Sequence, residues 1–432
     1  SDVYKRQAYG LDYIDRIGIN NLAWSNAELA TNSSDRVINT LMSGMLRVNY
    51  VFMNRYMVTA SIRADGSSRL VDKWSYFPSA ALAWDLKQES FLKDNSFIDQ
   101  LKLRLGYGSV GNQAVEAYRP YSKRTPIRNS DGSTSYKVDR PAAPYLKWER
   151  NDQFNAGVDF GILNGRIRLT ADWYSKLSKD ILLDLAQPTH MGFPSLLMNS
   201  GEIKNTGIEF TISADPFTGK GFSWHTDVTL SHNKGTFNSI PTANHRQQQA
   251  GSFQNQLFQM IEGEKLGTFW GYTFGGIWQE DEVNAPFVDA NGQTNGKTNG
   301  EVYKVVAGNS KYVDTNKDGV LNDADQGIIG CGQPTFNWGW NNSFNYKNFD
   351  FSFFMVGFHG FDIYNATHQM GFNTVSGQNM AAVTPMRDFL NRWTPTNTNT
   401  DVPGFVQGGT ENKVFSSRFV ENGSFIKMKS IT

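Results

Sequence analysis

The sequence predicts an all-β protein, a transmembrane antiparallel β-barrel with long extracellular loops, of which this chain supplies about eleven strands. The first observation is a polarity that alternates with period two, as in a strand with one apolar and one polar wall. The second is that short and long connections alternate between these segments. A soluble sandwich shares the first pattern, but usually with shorter strands and tight turns at both ends. The clearest segment places Phe222, Trp224, Thr226, Val228 and Leu230 on one face, opposite Ser223, His225, Asp227, Thr229 and Ser231.

The alternating segments follow one another along the whole chain after residue 40. Each is about as long as the nine to eleven residues that a tilted strand needs to cross a bilayer. In the first six, the apolar faces are Met42, Leu46, Val48 and Tyr50; Tyr56, Val58, Ala60, Ile62 and Ala64; Ala80, Leu82, Trp84 and Leu86; Leu101, Leu103, Leu105 and Tyr107; Phe154, Ala156, Val158 and Phe160; Ile167, Leu169, Ala171 and Trp173. The seventh has Ile208, Phe210, Ile212 and Ala214, and the eighth is the segment given above. The last three are Phe336, Trp338, Trp340, Phe344 and Tyr346; Phe349, Phe351, Phe353 and Met355; and a segment beginning near Ser424.

The connections divide into two sets that alternate in order. The short ones include Met53 to Arg55, Gly161 to Gly165 with its Asn-Gly turn signal, and Lys347-Asn348. The long ones include 109–152, 175–205, 233–335 and 358–423. Because every long connection falls on the same side, we expect periplasmic turns on one side and extracellular loops on the other.

Composition excludes several classes of protein. The 41 basic and 41 acidic residues cancel, which argues against a nucleic-acid-binding protein. One cysteine, Cys331, allows neither an intrachain disulfide nor a cysteine-rich metal cage. No run of about 18 apolar residues predicts a transmembrane helix. The mean hydropathy of −0.46 still suits a barrel, because half of each strand faces a wet lumen.

The two ends of the chain predict an incomplete barrel. Residues 1–40 are interpreted as a lead-in from an upstream part of the barrel, and residues 41–432 as the partial barrel, with the extracellular loop 233–335 inside it. The stretch Ser1 to Gln7 is polar and charged, unlike a secretory signal, and the final alternating segment stops within its pattern. We expect a fragment on these grounds, although a cytosolic protein would also lack a signal.

One loop motif predicts a calcium site. The spacing D-x-N-x-D-G begins at Asp314 and places Gly319 at the sharp turn of a calcium-binding loop. The shorter Asp325 stands where a bidentate Glu is usual, and no flanking helix pair is evident, so we expect a structural Ca²⁺ clamp and no calcium sensor. The alternative is a solvated loop of Asx turns. The predicted ligands are Asp314, Asn316, Asp318, the carbonyl of Val320, Asn322 and Asp325.

An aromatic run lies in the longest connection and has two interpretations. Trp270, Tyr272 and Trp278 could contact a ligand by stacking on sugar rings, or the run could form the loop's own small core, since long loops bury side chains to stay ordered. The sequence contains no H-E-x-x-H, G-x-S-x-G or P-loop motif, so nothing indicates an enzyme.

Seven segments stand in a fixed order along nearly the whole chain after about residue 36: they are 55–69, 76–79, 101–108, 111–113, 148–149, 199–209 and 416–424. Together they resemble the barrel of SusC/RagA-type TonB-linked outer membrane proteins of Bacteroidetes, in which matching segments occur in the same order. No single segment is diagnostic, so the resemblance depends on the ordered set.

The resemblance implies a barrel of about 22 strands with a plug and a TonB box upstream. It also implies a SusD-like surface lipoprotein as partner, coupling to TonB, and uptake of an oligosaccharide or a peptide across the outer membrane. Many family members have a counterpart of the calcium-type loop. The alternative is a secreted or surface glycan-binding or adhesin protein without energy coupling.

Overall fold

The computed structural model describes residues 2–9, 31–193, 195–219, 221–240, 246–248, 257–371, 387–404 and 414–432. Its main feature is a sheet of eleven strands, which confirms the predicted fold class. In chain order, these strands are β1 Leu41–Phe52, β2 Tyr56–Ser67, β3 Trp74–Asp85, β4 Ile98–Asn112, β5 Glu149–Ile162, β6 Ile167–Lys179, β7 Glu202–Thr218, β8 Phe222–Ser239, β9 Phe336–Tyr346, β10 Phe349–His359 and β11 Phe425–Ile431.

The strands lie in the sheet in the same order as in the chain. Each neighbours the one before it, with β1 and β11 at the two edges, so the sheet is not closed on itself. Pairing is antiparallel: Leu41 lies opposite Ser67 and Phe52 opposite Tyr56 in β1 and β2. This up-and-down arrangement is the one that alternating short and long connections predict.

Smaller elements fill the connections and the first part of the chain. The described part of the chain has no helix long and apolar enough to cross a membrane. Among the described residues, three short α-helices cover Glu280–Asn284, Asn299–Tyr303 and Ala366–Gly371. The 3₁₀ helices in the same part of the chain are Leu86–Gln88, Thr189–Met191, Asp323–Asp325, Arg387–Asn391 and Ser417–Phe419. Two-stranded sheets pair Asp2–Tyr9 with Thr31–Ile38, Lys123–Arg128 with Thr134–Arg140, Leu182–Ala186 with Ser195–Asn199, Arg246–Gln248 with Gln259–Ile261, Thr268–Tyr272 with Gln326–Cys331, Phe274–Ile277 with Ser310–Tyr312, Pro286–Val288 with Thr294–Thr298, and Asp362–Tyr364 with Val420–Asn422.

The tight turn between β5 and β6 follows from its residues. Leu163, Asn164 and Gly165 all have positive φ angles, of 59°, 56° and 75°. Glycine and asparagine tolerate this left-handed region best, which is why Asn-Gly predicted the turn. The backbone N–H of Arg166 donates to the Leu163 carbonyl at 3.3 Å and closes it.

On β2, the exposure of the two faces is the reverse of that in a soluble sheet. On β2, Val58 and Ile62 are 40% and 47% exposed, whereas the alternating Thr59 and Ser61 are half-buried. Ser61 shares a hydrogen bond of 2.6 Å with Ser79 of β3. In a barrel surrounded by lipid and wet inside, we expect the apolar face of each strand to point outward. We expect the polar side chains of the other face to hydrogen-bond to those of neighbouring strands.

Aromatic rings are stacked near the short turns. The rings of Phe52 and Tyr56, which flank the turn between β1 and β2, are 6.2 Å apart, and that of Trp84 is 6.1 Å from Tyr56. A second row joins Trp224 and Phe344 at 5.8 Å, near the turns that end β7 and β9. Rows of this kind correspond to the aromatic girdle at a membrane interface.

The chain divides into two compact units. The first contains Ser1–Trp84, Arg104–Phe154 and Lys176–Glu202, and the second Asp85–Leu103, Asn155–Ser175 and Ile203–Thr432. The first has a core of Leu70, Phe77, Val115, Ala143, Leu146 and Trp148. In the second, Val402 and Phe419 form a cluster with Tyr364 and Phe389.

Several strands run further than the polarity pattern predicted. Strand β8 continues to Ser239, although the long connection was expected to begin at Asn233, and β6 continues to Lys179. Backbone pairing continues beyond the apolar band, but alternation stops where both faces meet water, so the pattern marks only the lipid-facing length. In the predicted lead-in, residues 10–30 lie outside the described residues.

Candidate functional site

The connection between β8 and β9 holds all the side chains predicted from the sequence to bind a metal or a ligand. Its outer two-stranded sheet pairs Thr268–Tyr272 with Gln326–Cys331, and a second two-stranded sheet pairs Phe274–Ile277 with Ser310–Tyr312. The segment is therefore a small folded structure, built from short strands that place the aromatic run beside the calcium-type motif.

Much of the aromatic run packs inside this loop. The Trp278 side chain is only 7% exposed, its ring lies 5.7 Å from that of Tyr303, and Lys311 Nζ lies 4.8 Å from its centre. The Tyr272 ring lies 5.7 Å from that of Tyr312, which is 8% exposed. The Trp278 ring is thus part of the loop's own core, and this burial argues against the prediction that Trp278 contacts a ligand. Trp270 and Tyr272 are half-buried, and for them ligand contact stays a prediction.

An ion pair joins the two sides of this loop core. Lys311 Nζ lies 2.6 Å from Glu282 Oε1, and the Gln279 backbone N–H donates to Glu282 Oε2 at 3.1 Å. Burial alone would raise the pKa of Glu282, but the hydrogen bonds from Lys311 and Gln279 outweigh it and the pKa lies below its usual value. The helix Glu280–Asn284 is thereby tied to the strand Ser310–Tyr312.

The connection between β10 and β11 packs against the same loop. The Tyr272 backbone N–H donates to the Phe415 carbonyl at 2.8 Å, and the Phe274 N–H donates to Ser417 Oγ at 2.9 Å. The Arg418 guanidinium lies 5.4 Å from the centre of the Phe274 ring. Burial lowers the pKa of Arg418, and a nearby Asp401 partly offsets this effect.

The calcium-type motif is a loop closed by its own hydrogen bonds. Asp314 Oδ1 accepts from the backbone N–H of Lys317 at 2.6 Å, and its Oδ2 accepts from that of Gly319 at 2.9 Å. Gly319 has a φ of 82°, which confirms the sharp turn predicted at this position. A Cβ there would lie 2.7 Å from a methyl of Val302, so the turn also requires a residue without a side chain.

The remaining predicted ligands lie in the same loop. Asn316 Oδ1 accepts from the Asp318 backbone N–H at 3.0 Å, and Asp318 Oδ1 accepts from that of Val320 at 2.8 Å. Asn322 Nδ2 donates to the Val320 carbonyl at 3.1 Å. The far end is Asp325, which is 3% exposed and accepts from the Asn322 backbone N–H at 3.0 Å.

A tyrosine that the sequence did not single out touches the motif. The Tyr303 hydroxyl donates to Asp314 Oδ2 at 2.8 Å. Burial raises the pKa of Tyr303, and the adjacent Asp314 carboxylate raises it further. Tyr303 thus remains a neutral donor. The sequence around Tyr303 does not indicate this role. Its ring packs in the aromatic core, and only its hydroxyl reaches the calcium-type motif.

The donor set of this motif suits a hard cation. Every predicted ligand atom is an oxygen from a carboxylate, an amide or a backbone carbonyl, which is the set that Ca²⁺ takes. Across the described ranges, however, no three His, Cys, Asp or Glu side chains group closely enough to hold a metal. The carboxylates of Asp314, Asp318 and Asp325 instead accept hydrogen bonds from backbone N–H groups. The ligand chemistry therefore fits calcium, while the carboxylates point to the loop's own backbone.

A cleft of about 850 Å³ opens beside the loop core. It lies between residues 279–284 and residues 393–399, which are distant in the chain. The Trp393 indole N–H bridges the two segments by donating to Gln279 Oε1 at 2.9 Å. Sequence reasoning missed this cleft, because no local pattern connects segments 114 residues apart.

Comparisons with known proteins agree on the type of barrel. The chain matches the family described as TonB dependent receptor-like, beta-barrel, over residues 2–308. It is 32% identical to TonB-dependent receptor P3 of Formosa agariphila, over 91% of this chain and 38% of that protein. It is 30% identical to TonB-dependent receptor SusC of Bacteroides thetaiotaomicron, over 94% of this chain and 39% of that protein. The chain thus spans about two fifths of the length of these curated relatives.

One solved structure shows the same fold. A chain of the RagAB peptide transporter superposes with a TM-score of 0.77 at 20% identity, over 95% of this chain and 42% of that one. At this identity the likeness concerns the fold alone. It agrees with the up-and-down sheet described above.

Proposed function

Since the chain belongs to the family of TonB-dependent receptors of SusC/RagA type and forms part of their barrel, we propose that the whole protein imports an oligosaccharide or a peptide. In this proposal TonB supplies the energy, and a SusD-like surface lipoprotein delivers the nutrient at the extracellular mouth. The chain itself is an outer membrane β-barrel protein and not an enzyme.

One observation supports a role in the membrane most directly. Many apolar residues of the strands are exposed, including Leu103 and Leu105 at 40% and 48% on β4. The barrel therefore supplies a wall with an apolar outside, and recognition falls to the connections on the side of the long loops. The largest of them carries Trp270 and Tyr272, and together with the connection between β10 and β11 it lines the cleft near Trp393.

The nutrient class stays open between sugars and peptides in this proposal. The solved RagAB structure is described as a peptide transporter, but its likeness to this chain is one of fold. Aromatic rings and amides in the loops suit sugars by stacking and hydrogen bonding. The SusD-like partner is supported by the resemblance to the SusC/RagA family.

Uptake measurements test this proposal. The gene would be deleted in its host and restored from a plasmid, and uptake of labelled oligosaccharides and peptides would be followed with and without TonB. We expect uptake that requires both the gene and TonB, together with co-purification of a surface lipoprotein. Binding at the cell surface that is unaffected by loss of TonB would instead favour the glycan-binding or adhesin alternative.

Within the same proposal, the motif from Asp314 to Asp325 binds a structural Ca²⁺ ion. The side chains of Asp314, Asn316, Asp318, Asn322 and Asp325 would hold it together with the Val320 carbonyl. The ion would supply a positive charge that holds the loop's oxygens together. Its support is the all-oxygen donor set and the confirmed turn at Gly319.

Calcium titration tests this site. We expect Ca²⁺ to protect residues 310–330 from hydrogen exchange, and D314N with D318N to abolish that protection. D289N is a matched control, because Asp289 also accepts backbone hydrogen bonds in a loop turn but lies outside the motif. Protection that is the same in chelator and in calcium would contradict the site.

A further inference from the structure

The cleft between residues 279–284 and 393–399 is built around one immobilised tryptophan. The Trp393 indole N–H donates to Gln279 Oε1 at 2.9 Å, and its backbone N–H donates to the Val402 carbonyl at 2.8 Å. Two constraints, one on the ring and one on the backbone, fix the orientation of this side chain. A ring that is already ordered loses little further freedom when a ligand stacks on it.

Glycines allow the ring to lie against the backbone. A Cβ on Gly308 would lie 2.6 Å from the Trp393 ring, and one on Gly404 would lie 3.3 Å from it. The Gly404 backbone N–H donates to the Gly308 carbonyl at 2.8 Å, which keeps both glycines together. The ring therefore rests on a backbone floor while it lines the cleft.

Apart from Pro395, the other lining residues are polar, and none of them carries a positive charge. Carboxylates come from Glu280 and Asp281, and amides from Asn284 and Asn399. Among the described residues that line the cleft, none is a lysine, arginine or histidine. Planar amides and carboxylates around an aromatic ring can bond to sugar hydroxyls while the ring contacts the apolar face of the sugar. The two negative charges disfavour uronic acids and sulfated sugars.

We propose that this cleft binds an uncharged sugar residue of an oligosaccharide, with Trp393 as the stacking platform. Glu280, Asp281, Asn284 and Asn399 would bond to the sugar hydroxyls. The inference rests on the proposed uptake function and selects the neutral oligosaccharide among its nutrients. A basic peptide would also meet the two carboxylates favourably, but it would make no use of the ring and amides together.

Direct binding measurements test this inference on the protein expressed from its complete gene and purified in detergent. The probes are neutral hexasaccharides of glucose, mannose, galactose and xylose, acidic oligosaccharides from alginate and polygalacturonate, and an oligolysine peptide. We expect at least one neutral probe to bind, and W393A to weaken it by about tenfold or more, which corresponds to about 1.4 kcal/mol. W393F keeps most of the affinity, because it keeps an aromatic face.

A charge variant keeps the test independent of the tryptophan. E280Q combined with D281N leaves the ring in place, and we expect it to raise the affinity for acidic probes. The matched control is W74A, since Trp74 also packs on a glycine, Gly66, but is far along the chain on β3 and 50% exposed. Unchanged neutral-sugar binding in W393A, or a preference of the unaltered protein for acidic probes or oligolysine, overturns the inference.

Uptake separates this inference from the proposed function. If W393A changes neither sugar binding nor TonB-dependent uptake, the cleft proposal fails and the transport proposal stands. If Trp393 is needed for sugar binding but uptake does not depend on TonB, the cleft proposal stands and the transport proposal fails.

Discussion

Gly271 and Gly327 lie directly opposite each other in the outer two-stranded sheet of the longest loop, and their surroundings differ. A Cβ on Gly271 would lie 2.4 Å from the carbonyl oxygen of Phe415, whereas a Cβ on Gly327 would meet nothing within 4 Å. The close approach at Gly271 accompanies the hydrogen bond from the Tyr272 N–H to that same carbonyl, at 2.8 Å. Gly271 therefore lets two long connections pack together.

G271A should separate these two connections. Because the obstacle is backbone, overpacking should destabilise the contact by about 1–3 kcal/mol. We expect faster hydrogen exchange at Tyr272 and in residues 414–419, measured by mass spectrometry. G327A is the matched control on the facing strand, and it should leave exchange unchanged or slightly slower. Equal effects of the two substitutions would contradict the packing argument.

Removal of the Asp325 carboxylate should open the calcium-type loop. Asp325 is 3% exposed and accepts from the backbone N–H of Thr315 at 2.9 Å and that of Asn322 at 3.0 Å. D325A leaves these two donors without their acceptor, at a cost of about 1–3 kcal/mol for each group that stays buried.

Hydrogen exchange measured in the presence of a chelator separates the loss of these hydrogen bonds from any loss of calcium binding. In D325A we expect loss of protection across residues 314–325, whereas D323A should change little, because Asp323 is exposed. D325N keeps one acceptor oxygen, so its hydrogen-exchange protection should lie between that of D325A and that of D323A. A loop that is equally protected in all three variants would show that the carboxylate does not hold it closed.

The Glu282 ion pair should make the same loop sensitive to acid. The pKa of Glu282 in the folded loop lies below its ordinary value of 4.5. A carboxyl group whose pKa is lower in the folded state stabilises the fold at any pH above its pKa in the unfolded state. This stability is lost as the pH falls through the pKa in the folded state. We therefore expect the strand Ser310–Tyr312 to lose exchange protection below about pH 4.5.

E282Q should weaken this pH dependence, because the glutamine side chain does not titrate. E280Q is the control from the same short helix, with Glu280 exposed to solvent. It should retain the dependence of the unaltered protein. An unchanged acid response in E282Q would assign the effect to another group.

The strands could be predicted from the sequence because each carries its own signal. Ile62 beside Ser61 on β2 shows the alternation that lipid on one side and water on the other impose. The turn at Asn164 and Gly165 was predictable for a similar reason, since its positive φ angles favour these residue types. Local chemistry fixes both features, so neighbouring residues reveal them.

The interior of the long loops could not be predicted in this way. The strand Leu182–Ala186 is too short to show a period, and its partner Ser195–Asn199 lies beyond a further 3₁₀ helix. The hydrogen bond between Trp393 and Gln279 joins segments 114 residues apart. Such contacts depend on how the loops fold over one another, and no single segment encodes them.

The outward face of β2 should tolerate a charge far less well than its inward face. Ile62 is 47% exposed on the apolar face, and its neighbour Ser61 is half-buried on the polar face at nearly the same depth. I62K places an ammonium group in the hydrocarbon, which costs about 2–4 kcal/mol near the middle of the bilayer.

S61K provides the matched comparison. It loses the 2.6 Å hydrogen bond to Ser79, but its ammonium group stays on the wet side. We expect I62K to lower the fraction of folded protein in the outer membrane, measured by heat-modifiable migration in gels, and S61K to lower it much less. If S61K were the more damaging change, the assignment of the two faces would be reversed, because the apolar side chains of β2 would then face the interior.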